Sequence, residues 1–152
     1  MNISKFPLDI LVKNRADGSQ YPFELVDDFM YIWKHNGLLK GYFSPIYTIK
    51  VPAGYRTDFA SIPRIAQGIF NAVNDVAPAT IIHDFCYSIE LFPRYICDQI
   101  LLDSLKDNGI GLIRRQIIYN SVRLGGWTSW PHKTDEIYAD RELYKARFSK
   151  TP

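Results

Sequence analysis

Hydrophobic residues follow two different periods along this chain, and the single change from one to the other limits its fold most. Residues 8 to 51 read as short strands. Leu8 to Lys13 leads into Ala16-Asp17-Gly18-Ser19, whose Asp-Gly pair is a strong hairpin signal. Tyr21 to Val26 partly alternates, Phe29 to Lys34 is rich in aromatics, and His35-Asn36-Gly37 offers a second turn. Leu38 to Phe43 follows. From Ile46 to Val51, Tyr47, Ile49 and Val51 then alternate with Ile46, Thr48 and Lys50. This pattern predicts a small antiparallel sheet with one face packed inward, ended by Pro52-Ala53-Gly54.

From Pro78 onward the period is helical. Pro78 is read as a first-turn proline, with Ile81, Ile82, Phe85 and Ile89 at three- and four-residue steps. Pro93 opens a second helix, whose stripe is Ile96, Cys97, Ile100, Leu101 and Leu105, and Asn108-Gly109 stops it. A third helix is expected from about Leu112 to Leu124, ending at Gly125-Gly126. Thr134 to Phe148 reads as a charged helix with a thin apolar stripe of Ile137, Leu143 and Tyr144. The expectation is one α+β domain over residues 1–152. In it a small N-terminal antiparallel sheet (about 8–51) packs on a C-terminal bundle of three to four helices (about 78–148).

Composition enters only to exclude. Eighteen Lys and Arg against sixteen Asp and Glu give a net charge of +2, too balanced to suggest a nucleic-acid binder. No apolar run approaches the roughly 18 residues of a membrane span, and Met1 to Pro7 lacks the regions of a secretion signal. Cys86 and Cys97 have no zinc-finger spacing. They fall at matching heights if their helices pair antiparallel, which permits a bridge, although buried free thiols are the simpler reading.

Two polar groups stand out. The connection VPAGYRTDFASIP (Val51 to Pro63) gathers Thr57, Asp58 and Ser61, either as binding residues or as caps of backbone amides around a turn. Ser61 lacks the glycine-flanked elbow of a serine nucleophile. On the helix after Pro78, His83 and Tyr87 stand one turn apart, with Asp84 about 100° further round. The next helix returns after a short link and brings Asp98 toward Tyr87 and His83. An imidazole oriented by a carboxylate can take a proton from water, which makes His83, Asp98 and Tyr87 the candidate catalytic group. Asp84, with Asp58 or backbone carbonyls, could hold a hard cation such as calcium. The alternative is a buried Asp–His–Tyr network that joins two helices without chemistry.

Two resemblances add to this reading. VPAGYRTDFASIPR, IIHDFCY, CDQILLDSL and RRQIIYNSVRLGGW together resemble an uncharacterised family of small proteins encoded by bacteriophages and prophages. That resemblance implies a place in the host cytoplasm or the virion, other phage proteins as partners, and no defined activity. Over about 25 residues, IIHDFCYSI with the later Asp98 is similar to the active-site helices of calcium-dependent secreted phospholipases of the A-two class. This second resemblance implies His83 as the water-activating base, Asp84 as a calcium ligand, Tyr87 and Asp98 as orienting groups, and a lipid substrate. The glycine-rich calcium loop and the cysteine framework of those enzymes are absent from the sequence. Two expectations result: a hydrolase acting on a lipid or cell-envelope ester or amide, or a non-enzymatic virion or assembly protein.

Overall fold

A computed structural model describes residues 5–6, 9–18, 21–34, 46–57 and 73–129. Among the described residues, five strands precede three helices: β1 (Val12–Asn14), β2 (Phe23–Leu25), β3 (Phe29–Lys34), β4 (Ile46–Val51), β5 (Arg56–Thr57), α1 (Val73–Ile89), α2 (Arg94–Asp107) and α3 (Leu112–Ser129). The α+β class and the antiparallel strand pairing match the sequence reading. Asp58, Ser61, the Asn36-Gly37 turn and the segment Thr134 to Phe148 lie outside the described residues.

The strands divide into two small sheets, ordered β1-β2-β5 and β3-β4. Pro52-Ala53-Gly54 does not end strand structure as the sequence suggested. Gly54 takes a left-handed φ of 84°, a turn suited to glycine, and the chain comes back to pair Arg56 and Thr57 with β2. β3 alternates as expected of a sheet with one covered face. Phe29, Tyr31 and Trp33 point into the core beside Ile49 and Val51 of β4.

Two of those buried aromatics carry a polar tip, and α2 receives both. Tyr31 donates to Asp107 at 2.8 Å and Trp33 Nε1 donates to Asp103 at 2.9 Å. The rings therefore bury apolar area without stranding their donors.

α1 is buried nearly all round, as a helix with elements on several sides must be. Its Ile81, Ile82, Phe85, Cys86 and Ile89 join the sheet aromatics with Cys97 and Ile100 of α2. Nearer its start, Val76 and Ala79 pack with Leu101 and Leu105 of α2 and with Ile118 and Val122 of α3. The α1–α2 pair thus stands between the strands and α3.

Two helix boundaries differ from expectation. α1 begins at Val73, so Pro78 lies inside the helix and not in its first turn. A proline there forgoes one backbone hydrogen bond, and the packing of Val76, Ala79, Ile81 and Ile82 offsets the loss. α3 continues through Gly125-Gly126 to Ser129. Glycine permits a left-handed stop without requiring one, and Gly125 is not among the positive-φ residues. Gly109, with φ 82°, does end α2 as read. Cys86 and Cys97 are free, buried thiols. A hydrogen bond with Cys97 and burial together push the Cys86 thiol well up, which keeps it protonated.

Candidate functional site

The link between α1 and α2 is short, and Glu90 takes a positive φ of 48° within it. The second helix is thereby returned directly against the first. Residues near the end of α1 then face residues near the start of α2. His83 and Tyr87, one turn apart on α1, both meet Asp98 in the second turn of α2.

Asp98 is the hub. Its Oδ1 accepts from His83 Nε2 at 3.0 Å and from the Tyr87 hydroxyl. Its Oδ2 accepts from Arg123 Nη1 of α3 at 2.7 Å, and Arg94 Nε lies 3.8 Å away, one turn earlier on α2. Arg94 also donates to the Tyr87 hydroxyl at 3.2 Å and to the Arg123 carbonyl at 2.8 Å. One carboxylate therefore ties α1, α2 and α3 together. The imidazole and the Tyr87 ring lie 4.1 Å apart between centroids, tilted by 44°.

The electrostatics follow from this ring of donors. Burial pushes the Asp98 carboxyl up, but hydrogen bonds from His83, Tyr87 and Arg123 outweigh it and leave the pKa below the ordinary aspartate range. Asp98 is thus a carboxylate, acceptor-only, and the His83 Nε2 facing it carries a proton. In a neutral ring the lone pair then sits on Nδ1, which is the tautomer a general base requires. Burial, and next the Asp98 hydrogen bond, push the Tyr87 hydroxyl up, so it stays a donor. The Asp98 bond raises Arg123 as well.

A second contact brings the polar connection to this place. Tyr55, just before β5, meets α1 through the Tyr55–Phe85 ring pair, edge to face at 5.4 Å, and through the Tyr55 and Ser88 hydroxyls at 3.4 Å. Thr57, buried at the end of β5, donates to Asp84 Oδ2 at 2.7 Å. Of the residues singled out from the sequence, the fold brings His83, Tyr87 and Asp98 together. It places the Thr57–Asp84 pair on the next position of the same helix. Asp58 and Ser61 follow Thr57 directly in the chain and lie outside the described residues.

Thr57→Val keeps the shape and removes the hydroxyl. It should lower stability by roughly 1–3 kcal/mol, the range for a buried hydrogen bond to a charged group. Chemical denaturation of the two proteins measures this directly, and Thr57→Ser should recover most of the loss.

Among the described residues, no group of three or more His, Cys, Asp or Glu is placed to hold a metal ion. Calcium takes six to eight oxygens, and here a single carboxylate, Asp84, already accepts from Thr57. The described residues alone do not fit a calcium site.

Arg94 and Arg123 were not singled out from the sequence. Arg94 stands four residues before Asp98, a spacing that already marks an intrahelical ion pair. Arg123 is 25 residues away on another helix, and nothing local announces its partner.

The site is a buried histidine–carboxylate pair on two antiparallel helices, held by a tyrosine and two arginines. A family model described as a protein of unknown function, DUF1353, matches residues 23–122, and the chain belongs to that family. The match takes in Thr57, His83, Asp84, Tyr87 and Asp98 and ends one residue before Arg123. No curated protein and no solved structure matches the chain.

Proposed function

We propose that the chain is a hydrolase in which His83, oriented by Asp98, activates water against an ester or amide of a lipid or of the cell envelope. The observation that carries this reading is the 3.0 Å contact between His83 Nε2 and Asp98 Oδ1. In the proposed step, Nδ1 takes a proton from water as its oxygen attacks the carbonyl carbon. The imidazolium returns that proton to the leaving oxygen or nitrogen as the scissile bond breaks. Asp98 stabilises the imidazolium, while Tyr87, Arg94 and Arg123 hold the carboxylate in place. The local similarity to phospholipase helices favours a lipid ester among these substrates. The TDFASIP and HDFCY elements favour a bacteriophage or prophage origin, with the host cytoplasm or the virion as its place. Thr57, Asp58 and Ser61 form the binding side of the proposal. Calcium on Asp84 and Asp58 is a separate part of it, and no step above depends on a metal.

A second reading draws on burial. His83 is 1 % exposed and Asp98 0 %. A network sealed to that degree suits a non-enzymatic virion or assembly protein, acting on other phage proteins, in which the same contacts lock the helices.

Release of fatty acid from phosphatidylglycerol vesicles, and cleavage of a soluble nitrophenyl ester, test the two readings. His83→Ala should reduce turnover by at least about a hundredfold, and Ser61→Ala should only weaken it. Turnover undiminished in folded His83→Ala would end the dyad proposal. Destabilisation without any turnover in the wild type would favour the structural reading. A calcium titration followed at the His83 ring, repeated with Asp84→Asn, tests the metal independently.

A further inference from the structure

The two cysteines lie on facing turns of α1 and α2, beside the His83–Asp98 pair. Asp98 meets both His83 and Tyr87, so it stands level with the middle of that turn, near Phe85. In an antiparallel pair, one step back along α2 is one step forward along α1. Cys97 is thereby set level with Cys86. Both side chains are fully buried in the cluster that joins the helices to the strands.

The hydrogen bonds show that the two sulfurs meet. Cys97 Sγ donates to the Phe92 carbonyl at 3.3 Å, which directs its S–H toward the link between the helices. Its sulfur lone pairs are left to accept, and the Cys86 thiol is hydrogen-bonded to it. The two positions are 11 apart in the chain, with the reversal at Glu90 between them. A bond there closes a short loop across a turn that the fold already makes. Such a bond needs a thiolate and access for an oxidant. The finished core denies both, whereas the open chain supplies both before the strands cover the helices.

We infer that Cys86 and Cys97 form a disulfide that clamps α1 to α2 when the chain folds in the presence of a small disulfide oxidant. With oxidised glutathione, the thiolate of one cysteine attacks a glutathione sulfur and expels one glutathione thiolate. The thiolate of the other cysteine attacks the protein sulfur of that mixed disulfide, closes the Cys86–Cys97 bond and expels the second. Two cysteine thiols are oxidised, one disulfide is reduced, and the two cysteine protons end on the two glutathiones. A reducing compartment keeps the pair as the free thiols of the structure. The clamp does not rest on the catalytic reading, because its readouts are thiols and melting, not turnover.

Refolding the full chain from denaturant, in mixed oxidised and reduced glutathione or in dithiothreitol, tests it. On alkylation under denaturing conditions, the glutathione sample should take up no label and its digest should contain a fragment joining Cys86 to Cys97. The dithiothreitol sample should be labelled at both. The clamped chain should melt roughly 5–10 °C higher, because the closed loop restricts the unfolded chain. The double variant Cys86→Ala, Cys97→Ala should show no difference between the two conditions. If that variant does not fold, the wild-type comparison decides alone. Thiols that stay free after refolding with glutathione would overturn the inference. So would bonds that join separate chains, or a clamped chain that melts no higher than the reduced one.

Discussion

Asp98→Ala should lower the unfolding free energy by about 3 kcal/mol, the range for removing one partner from a buried charged network. The reason is what stays behind. His83 and Tyr87 lose the acceptor they share, and Arg123 loses the oxygen it meets at 2.7 Å. Arg123 is 39 % exposed at its side chain and regains water, which keeps the loss from being larger. Asp98→Asn should cost less at neutral pH, because the amide oxygen can still accept.

The two variants also separate in acid. Burial raises the folded-state pKa of Asp98, but the three hydrogen bonds outweigh it and leave the pKa below the ordinary value of 3.8. A group depressed on folding contributes stability that is complete above its unfolded value. That contribution is lost as pH falls through the folded value. Wild-type stability should therefore drop more steeply than that of Asp98→Asn as pH falls below about 4. Denaturant midpoints measured from pH 6 downward give the comparison. Parallel curves for the two proteins would mean that Asp98 does not titrate into this network.

Phe85→Ala should be more damaging, at about 4 kcal/mol. Phe85 is fully buried, stacks edge-on against Tyr55 and sits among the residues that join α1 to both sheets. Truncation removes the ring's burial and opens a cavity that rigid strands on one side and α2 on the other cannot close. For a chain of this size the melting temperature should fall by roughly 10 °C or more. Phe85→Leu, which refills much of the volume, should recover over half of the loss. A small change in Phe85→Ala would mean that the Tyr55–α1 contact is not a principal joint of the fold.

What was legible in the sequence follows a physical line between local and distant interactions. The alternation of Phe29, Tyr31 and Trp33 is a local property of an extended chain, and the structure repeats it as burial. The stop at Asn108-Gly109 was also legible, since a left-handed glycine after a helix acts within one turn. The meeting of His83, Tyr87 and Asp98 could be read because a short link leaves two helices few ways to return. The split into two sheets could not be read in this way. It depends on Arg56 and Thr57 finding β2 after the turn at Gly54, a choice made by tertiary packing. Pro78 and Gly125 were misread as boundaries for the same reason, because contacts of their helices outweighed local preference. Arg123 reaches Asp98 only through the placement of α3, so the candidate site was visible as His83, Tyr87 and Asp98 and not as a hub reaching a third helix.

The joining of α1 to α2 through Asp98 also bears on the order in which the chain assembles. His83 and Tyr87 are 15 and 11 residues from Asp98, whereas Tyr31 and Trp33 are 76 and 70 residues from their partners on α2. Closing a longer loop costs more entropy before any contact rewards it. The helical hairpin can therefore condense early from local contacts, and the aromatic strands dock later on a surface already present. On this route Asp103 and Asp107 wait on α2 in water until Trp33 and Tyr31 arrive, and the sheets gain a fixed register from a helix that precedes them.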